Sequence, residues 1–299
     1  MSETMSSRVI DPLVMGFWRL LDWQLSDQQC VSFLKECIEL GITHTDHADI
    51  YGQYECEAAF GAALKLAPSI RDEIKIITKC GIRPAIAKTG LTGKANHYDS
   101  SYTHIMASVE QSLQHFNTDR IDVLLIHRPD YLMDADEMAK AFNQLKRQGD
   151  VLNFGVSNFT PTQLSMLQSR CDFPLVTNQI ECSPYEMKGL DDGTLDQCQQ
   201  LRIHPMLWSP LAGGRLFSNR DEKALRLQTT LSKVAQEIGA KSIDQVVYCW
   251  LATLPSKPSI VLGTGNLTRV KAALESASLS MDREQWYRIW QASTGHSVP

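Results

Sequence analysis

Tyr51, Lys79, Asp46 and His127 are residue types that move protons: a phenol, an ammonium with a carboxylate to hold it, and an imidazole. Each falls at or just past the carboxyl end of a short apolar run. Asp46 and Tyr51 follow residues 42–45, Lys79 follows residues 74–78, and His127 follows residues 121–126. If these runs are neighbouring strands of one parallel sheet, about 5 Å apart, the four side chains converge on one rim. A charge pair, a phenol and an imidazole around one small carbonyl would suit proton-coupled reduction. Taken singly, each has a plainer reading. Tyr51 before Gly52 is then a turn aromatic, Asp46 with Lys79 a structural ion pair, and His127 a satisfied core histidine. Their recurrence at successive strand ends favours the chemical reading.

The elements that must position these residues show in the alternation of short β-rich runs with longer amphipathic stretches. The predicted strands are residues 13–17, 42–45, 74–78, 121–126, 152–156, 175–177, 204–208 and 259–262. Eight such runs with helical intervals point to an α/β fold, a (β/α)8 TIM barrel with its site at the carboxyl rim. Ser26 with Gln29 reads as a capping box, followed by the apolar stripe Cys30, Phe33, Leu34, Cys37 and Ile38, which Gly41 closes. Ile105, Val109, Leu113 and Phe116 repeat that spacing before Asn117, and Asp282 with Gln285 caps a last helix carrying Trp286, Ile289 and Trp290. The rival architecture, an open doubly wound sheet, expects a Gly-rich GxGxxG turn after its first strand when it binds a dinucleotide. Residues 15–19, Met-Gly-Phe-Trp-Arg, carry none. Connections 81–99 and 210–222 are long, polar and rich in Gly and Ala, and they lie where strands end, as functional loops do. The whole chain, 1–299, reads as one domain, with a short segment 1–12 in front and a helix and tail at 282–299.

Bulk composition narrows the class. A length of 299 residues fits one large barrel, and 43% hydrophobic with 21% charged residues is ordinary for a globular enzyme. A net charge of -5 provides no general attraction to nucleic acid or to an anionic membrane, so neither is an expected partner. Residues 1–7 are polar and lack the apolar core of a signal peptide, and no run approaches a membrane span. Eight scattered cysteines without a CxxC pair suit reduced thiols in a cytoplasm. Cys80 beside Lys79 could hold a perturbed thiol, although a small buried apolar role is simpler. His44, Asp46 and His47 cluster in sequence, but only His127 and Asp130 are obvious further ligands, and Lys79 would put a cation among them. No metal is expected. No apolar stripe calls for an oligomer, so a monomer is the default.

These residues stand in blocks that resemble the aldo-keto reductase superfamily over about residues 14–288. The blocks are Asp46-His47-Ala48-Asp49-Ile50-Tyr51-Gly52, Ile77-Thr78-Lys79, Leu125-Ile126-His127, Gly155-Val156-Ser157-Asn158-Phe159, Asn178-Gln179 and Trp208-Ser209-Pro210-Leu211. The sequences around Asp46 and His127-Arg128-Pro129-Asp130 look most like a bacterial YdhF-type branch. The resemblance implies Tyr51 as proton donor, Lys79 as its tuner, Asp46 as the partner of Lys79, and His127 as the residue orienting a small-molecule carbonyl substrate. It also implies NADP as cofactor, with NADPH preferred and NAD the alternative. Ser157, Asn158 and Gln179 match residues that bind the nicotinamide amide, and Trp208 matches its stacking ring. Ser209, Pro210, Leu211, Gly213 and Arg215 match the loop over the pyrophosphate. Gly263, Thr264, Gly265, Asn266 and Arg269 match the 2'-phosphate end, although many relatives place a lysine where this chain has Gly263. Gly16, Trp18 and Asp46 complete the expected cofactor contacts. Some members of the superfamily bind nucleotide chiefly to regulate protein partners, which is the competing expectation to turnover.

Overall fold

The computed structural model describes residues 8–299; the polar stretch 1–7 lies outside them. Strand β1 (Leu13–Gly16) pairs in parallel with β2 (His44–Asp46) on one side and with β10 (Ser259–Leu262) on the other. From β2 the sheet runs through β3 (Lys75–Cys80), β6 (Ile121–Ile126), β7 (Val151–Ser157), β8 (Asn178–Glu181) and β9 (Met206–Trp208) back to β10. All eight are parallel and the sheet closes, as the expected barrel requires. The remaining two strands, β4 (Ile82–Arg83) and β5 (His97–Tyr98), form a separate antiparallel pair. That hairpin lies inside connection 81–99, where the sequence suggested only a long loop.

Side chains alternate across each strand, so one set points into the barrel and the other toward the helices. The interior set is small: Val14, Ile77, Val123, Leu125, Met206 and Val261, with Ile10 below them, form one buried apolar cluster. Two larger clusters fill the space between strands and helices. Lys79 follows Ile77 by two residues and therefore shares its inward face, one layer nearer the rim. At the opposite end Arg8 donates to the Pro258 carbonyl and the Ser259 hydroxyl at 2.9 and 3.0 Å. There too the ring of His44 meets Asp11 at 2.9 Å and the Val9 carbonyl at 3.1 Å.

The helix signals hold in detail. Ser26 and Gln29 form a reciprocal capping box on helix Asp27–Glu39, and Asp282 and Gln285 do the same on helix Arg283–Thr294. Gly41 sits at φ 78°, a left-handed turn that glycine adopts without steric cost. Helix Cys56–Leu66 crosses helix Tyr102–Phe116 so closely that a Cβ on Gly61 would lie 1.9 Å from the His115 carbonyl oxygen.

One predicted strand moves. Residues 175–177 lie outside the ladder, and the regular strand is Asn178–Glu181. The Val176 amide still donates to the Phe154 carbonyl at 2.8 Å, and the Val156 amide to the Thr177 carbonyl at 3.0 Å, so the chain approaches β7 before pairing with it fully. Connection 210–222 is likewise more structured than expected, with helical turns at Ala212–Gly214 and Arg215–Ser218.

Candidate active site

The top layer of the barrel interior is polar. Lys79 Nζ donates to both carboxylate oxygens of Asp46 at 2.8 Å and to the His47 carbonyl at 2.7 Å, and it lies 3.3 Å from Tyr51 Oη. An ammonium has three protons, so four acceptors compete for them, and the phenol holds the longest contact. Across the mouth, Gln179 Nε2 donates to Asp46 Oδ1 at 2.7 Å, which ties β8 to β2 through side chains.

Tyr51 reaches this layer because the chain turns tightly after β2. Its amide donates to the Ala48 carbonyl at 3.1 Å, and Gly52 follows at φ 57°. A Cβ on Gly52 would lie 2.6 Å from Leu21 Cδ1 and 2.7 Å from Cys56 Sγ, so space as well as backbone geometry selects glycine. His127 leaves β6 with its amide still bonded to the Cys80 carbonyl at 2.8 Å. Its ring stands edge-on to Tyr51, with centroids 5.8 Å apart.

Charge states follow from burial and neighbours. Burial pulls the Lys79 ammonium down, but Asp46 and Tyr51 more than offset it, and the net direction is up. The Tyr51 phenol is raised above 10: burial pushes it up and Lys79 only partly counters. Lys79 acts in the direction expected of a tuner that eases proton release, but burial is the larger effect. His127 is held well below 6.5 by burial, then by Lys79 and Arg128. At neutral pH the site therefore presents a neutral phenol, a neutral imidazole and a closed ion pair. Burial and the nearby Asp49 and Glu57 push the Cys80 thiol well above its ordinary value. Cys80 is accordingly a protonated thiol in the core, as the simpler reading had it.

Beside these groups a second row forms at the ends of β7, β8 and β9. Ser157 Oγ donates to the Gln179 carbonyl at 2.9 Å, and Asn158 Nδ2 donates to Ser157 Oγ at 2.7 Å and to the His127 carbonyl at 3.2 Å. Trp208 Nε1 donates to Asn158 Oδ1 at 3.2 Å. Asn158 has φ 60°, a left-handed conformation that asparagine tolerates better than most residues. Ser157, Asn158, Gln179 and Trp208 thus join Asp46 and His127 in one hydrogen-bonded network.

The other expected cofactor positions divide. Ser209, Pro210, Leu211 and Gly213 form a turn in which the Ala212 amide meets the Ser209 carbonyl at 2.8 Å and the Gly214 amide meets the Leu211 carbonyl at 3.0 Å. Arg215 donates to the Ala212 carbonyl at 3.0 Å and to Glu181 at 3.2 Å, so its charge already has a partner. The sequence reading missed Glu181; its signal was a carboxylate ending a strand. At the far loop, Thr264 Oγ1 accepts from the Asn266 amide at 3.1 Å, and Asn266 Oδ1 caps Thr268 and Arg269 at 2.9 and 3.4 Å. The Arg269 side chain is exposed and, among the described residues, has no hydrogen-bond or ion-pair partner. A Cβ on Gly265 would lie 2.6 Å from Trp23, whereas one on Gly263 would meet nothing within 4 Å. Gly16 has a packing reason of its own, since a Cβ there would lie 2.8 Å from Val261 Cγ1. Trp18 is 58% exposed, with its ring centroid 6.4 Å from that of Tyr51. A cleft of about 340 Å³ opens beside Gly52, between Trp18 and Leu21 on one side and Ile86 and Lys88 on the other. It borders the Tyr51 layer without being lined by it.

A closed parallel barrel with a lysine, a carboxylate, a tyrosine and a histidine at the carboxyl rim defines a class of oxidoreductases. The aldo/keto reductase family model matches residues 12–294, and the chain belongs to that family. Oxidoreductase YdhF of Escherichia coli is 54% identical over 96% of this chain and 94% of its own length. A 6-dehydroglucose reductase of Agrobacterium fabrum is 42% identical over 96% of this chain and 95% of its own. Among solved structures, a thermostable aldo-keto reductase in complex with the inhibitor epalrestat superposes with a TM-score of 0.75 at 25% identity, covering 95% of each chain. The protein is therefore an oxidoreductase with an eight-stranded barrel.

Proposed function

We propose that the protein reduces an aldehyde or ketone to an alcohol with NADPH, and that Tyr51 supplies the proton. The observation that carries this reading is the placement of Lys79 Nζ between Asp46, at 2.8 Å, and Tyr51 Oη, at 3.3 Å, beside a neutral His127. Family membership makes a nicotinamide cofactor the expected hydride source, and the rim residues fit one. Ser157, Asn158 and Gln179 offer hydroxyl and amide groups suited to a carboxamide, and Trp208 presents an anchored aromatic ring. The free Arg269 guanidinium suits a phosphate at the adenosine end.

When bound, the reduced nicotinamide supplies a hydride to the carbonyl carbon, so that carbonyl, NADPH and one proton become alcohol and NADP. The chain's own residues handle the oxygen. His127 in its Nε2–H tautomer donates a hydrogen bond that fixes the carbonyl oxygen against Tyr51. Tyr51 Oη delivers its proton as negative charge develops on that oxygen. Lys79 stabilises the phenolate left behind, and Asp46 keeps Lys79 charged and in place. A phenol with an ordinary pKa of about 10 is protonated at neutral pH, and burial keeps Tyr51 so.

The test is NADPH oxidation against a panel of aldehydes and ketones, with wild-type protein and Tyr51→Phe. The 6-dehydroglucose reductase relative adds a polyhydroxylated aldehyde to that panel. General acid catalysis is worth roughly 10²–10⁴-fold, and kcat should fall by that much while NADPH binding is retained. Equal activity in both proteins would overturn the role of Tyr51. Tight NADPH binding with no turnover on any carbonyl would overturn the reductase reading and favour a regulatory one.

A further inference from the structure

Arg128 follows His127 directly where the chain leaves β6, and its guanidinium carbon lies 5.7 Å from the Trp208 ring centroid. That indole is fixed by its bond to Asn158 at 3.2 Å, and Asn158 in turn holds the His127 carbonyl at 3.2 Å. The guanidinium therefore borders the network around the place where a substrate carbonyl must lie. Two other arginines, buried Arg71 and half-buried Arg288, are matched by carboxylates: Arg71 meets Asp122 at 2.9 Å, and Arg288 meets Glu237 at 2.7 Å. Arg128 is only partly exposed, yet among the described residues it has no hydrogen-bond acceptor and no carboxylate within ion-pair distance. Among the described residues its one close side-chain contact is an aromatic face, which leaves the N–H fork unoccupied.

The nearby acids are committed elsewhere. Asp46 is closed onto Lys79 at 2.8 Å and Glu181 onto Arg215 at 3.2 Å. With His127 neutral and Tyr51 protonated, Arg128 leaves the mouth of the site with an unbalanced positive charge. A planar guanidinium resting on an indole suits a carboxylate in bidentate geometry.

We propose that Arg128 binds a carboxylate on the substrate, so that the enzyme prefers carbonyl compounds bearing an acid group. This rests on the reductase reading above and assigns the substrate class to the same site. A chain carrying -5 overall does not attract anions at long range, so the preference is local and should appear in KM.

Two matched pairs test it: 4-carboxybenzaldehyde against methyl 4-formylbenzoate, and D-glucuronate against D-glucose. Wild type should favour each acid over its neutral counterpart by about 10- to 100-fold in kcat/KM, the scale of one charge-assisted contact. Arg128→Met should collapse that ratio through KM, and Arg128→Lys should restore part of it, keeping the charge but losing the fork. Calorimetry gives a readout without turnover: 4-(hydroxymethyl)benzoate should bind the NADP-loaded protein more tightly than its methyl ester, and Arg128→Met should erase the difference. No acid preference in wild type, or equal losses on acid and ester in Arg128→Met, would overturn the assignment. A parallel loss of NADPH affinity would also overturn it, placing Arg128 on the cofactor. If the neutral aldehydes are reduced and Tyr51→Phe abolishes that activity, the reductase reading survives failure of this one. Selective binding of the acid product without turnover would sustain Arg128 as an anion site while sinking catalysis.

Discussion

His47 gives the site only its backbone oxygen, and its ring has a different consequence. The imidazole is buried against Phe17, Phe60 and Phe116, with centroids 4.9, 4.4 and 5.0 Å away, and neither ring nitrogen has a hydrogen-bond partner among the described residues. Burial, then Lys79, holds it well below its ordinary 6.5. A histidine depressed in the folded state takes its proton only on unfolding. Its contribution therefore falls away as pH drops through the unfolded value of about 6.5. Below that point His47 should add about 1.4 kcal/mol of lost stability per pH unit. His47→Leu should flatten the acid limb by that slope in urea titrations between pH 7 and 5, and an unchanged limb would count against it. Asp46→Asn acts oppositely, leaving Lys79 as a buried cation without its anion. A loss of about 3–5 kcal/mol in urea unfolding is expected, together with loss of carbonyl reduction.

At the level of elements, the close crossing at Gly61 sets a firm constraint. Gly61→Ala must push helix Cys56–Leu66 away from the His115 carbonyl, and a destabilisation of about 1–3 kcal/mol in denaturant should follow. Because that helix starts just past Tyr51, the same change should also reduce kcat. Gly263 is the contrasting case, with open space around its missing Cβ. Gly263→Lys should fold normally and tighten NADPH relative to NADH, measured by fluorescence titration; an unchanged ratio would remove the loop from phosphate recognition. Most strands were legible because apolar runs mark them, as at Ile121–Ile126, whose bounds match the prediction. The strand Asn178–Glu181 was misplaced because it opens on two polar residues, Asn178 bonded to the Phe159 backbone at 2.8 Å and Gln179 bonded to Asp46 at 2.7 Å, and so carries no apolar run. The hairpin of β4 and β5 escaped for a related reason: two-residue strands are too short to show a period. The convergence of Asp46, Tyr51, Lys79 and His127 was readable through their strand ends. Arg128 and Glu181 were not, since their roles depend on which charges around them are already paired.

For the whole molecule, the pairing of β1 with β10 closes the barrel, and segments on either side of these strands fasten it. Arg8 seals one end of the barrel, and helix Arg283–Thr294 is fastened outside it by a stacked tryptophan pair. Trp250 and Trp286 lie 4.8 Å apart, and each indole N–H donates to the other's carbonyl, at 3.1 and 3.2 Å. Trp286→Ala should cost about 2 kcal/mol and lower the Tm without altering KM, as measured by thermal melts and NADPH oxidation. The charge pattern carries a second message at this scale. Lys79 is 1% exposed and its ammonium is stabilised, so it has neither the access nor the free lone pair that acylating reagents require. Surface lysines should be labelled within minutes in the native protein while Lys79 stays unmodified. The rate at which Lys79 finally reacts would then clock how often the barrel opens, turning a buried lysine into a built-in gauge of the fold's own breathing.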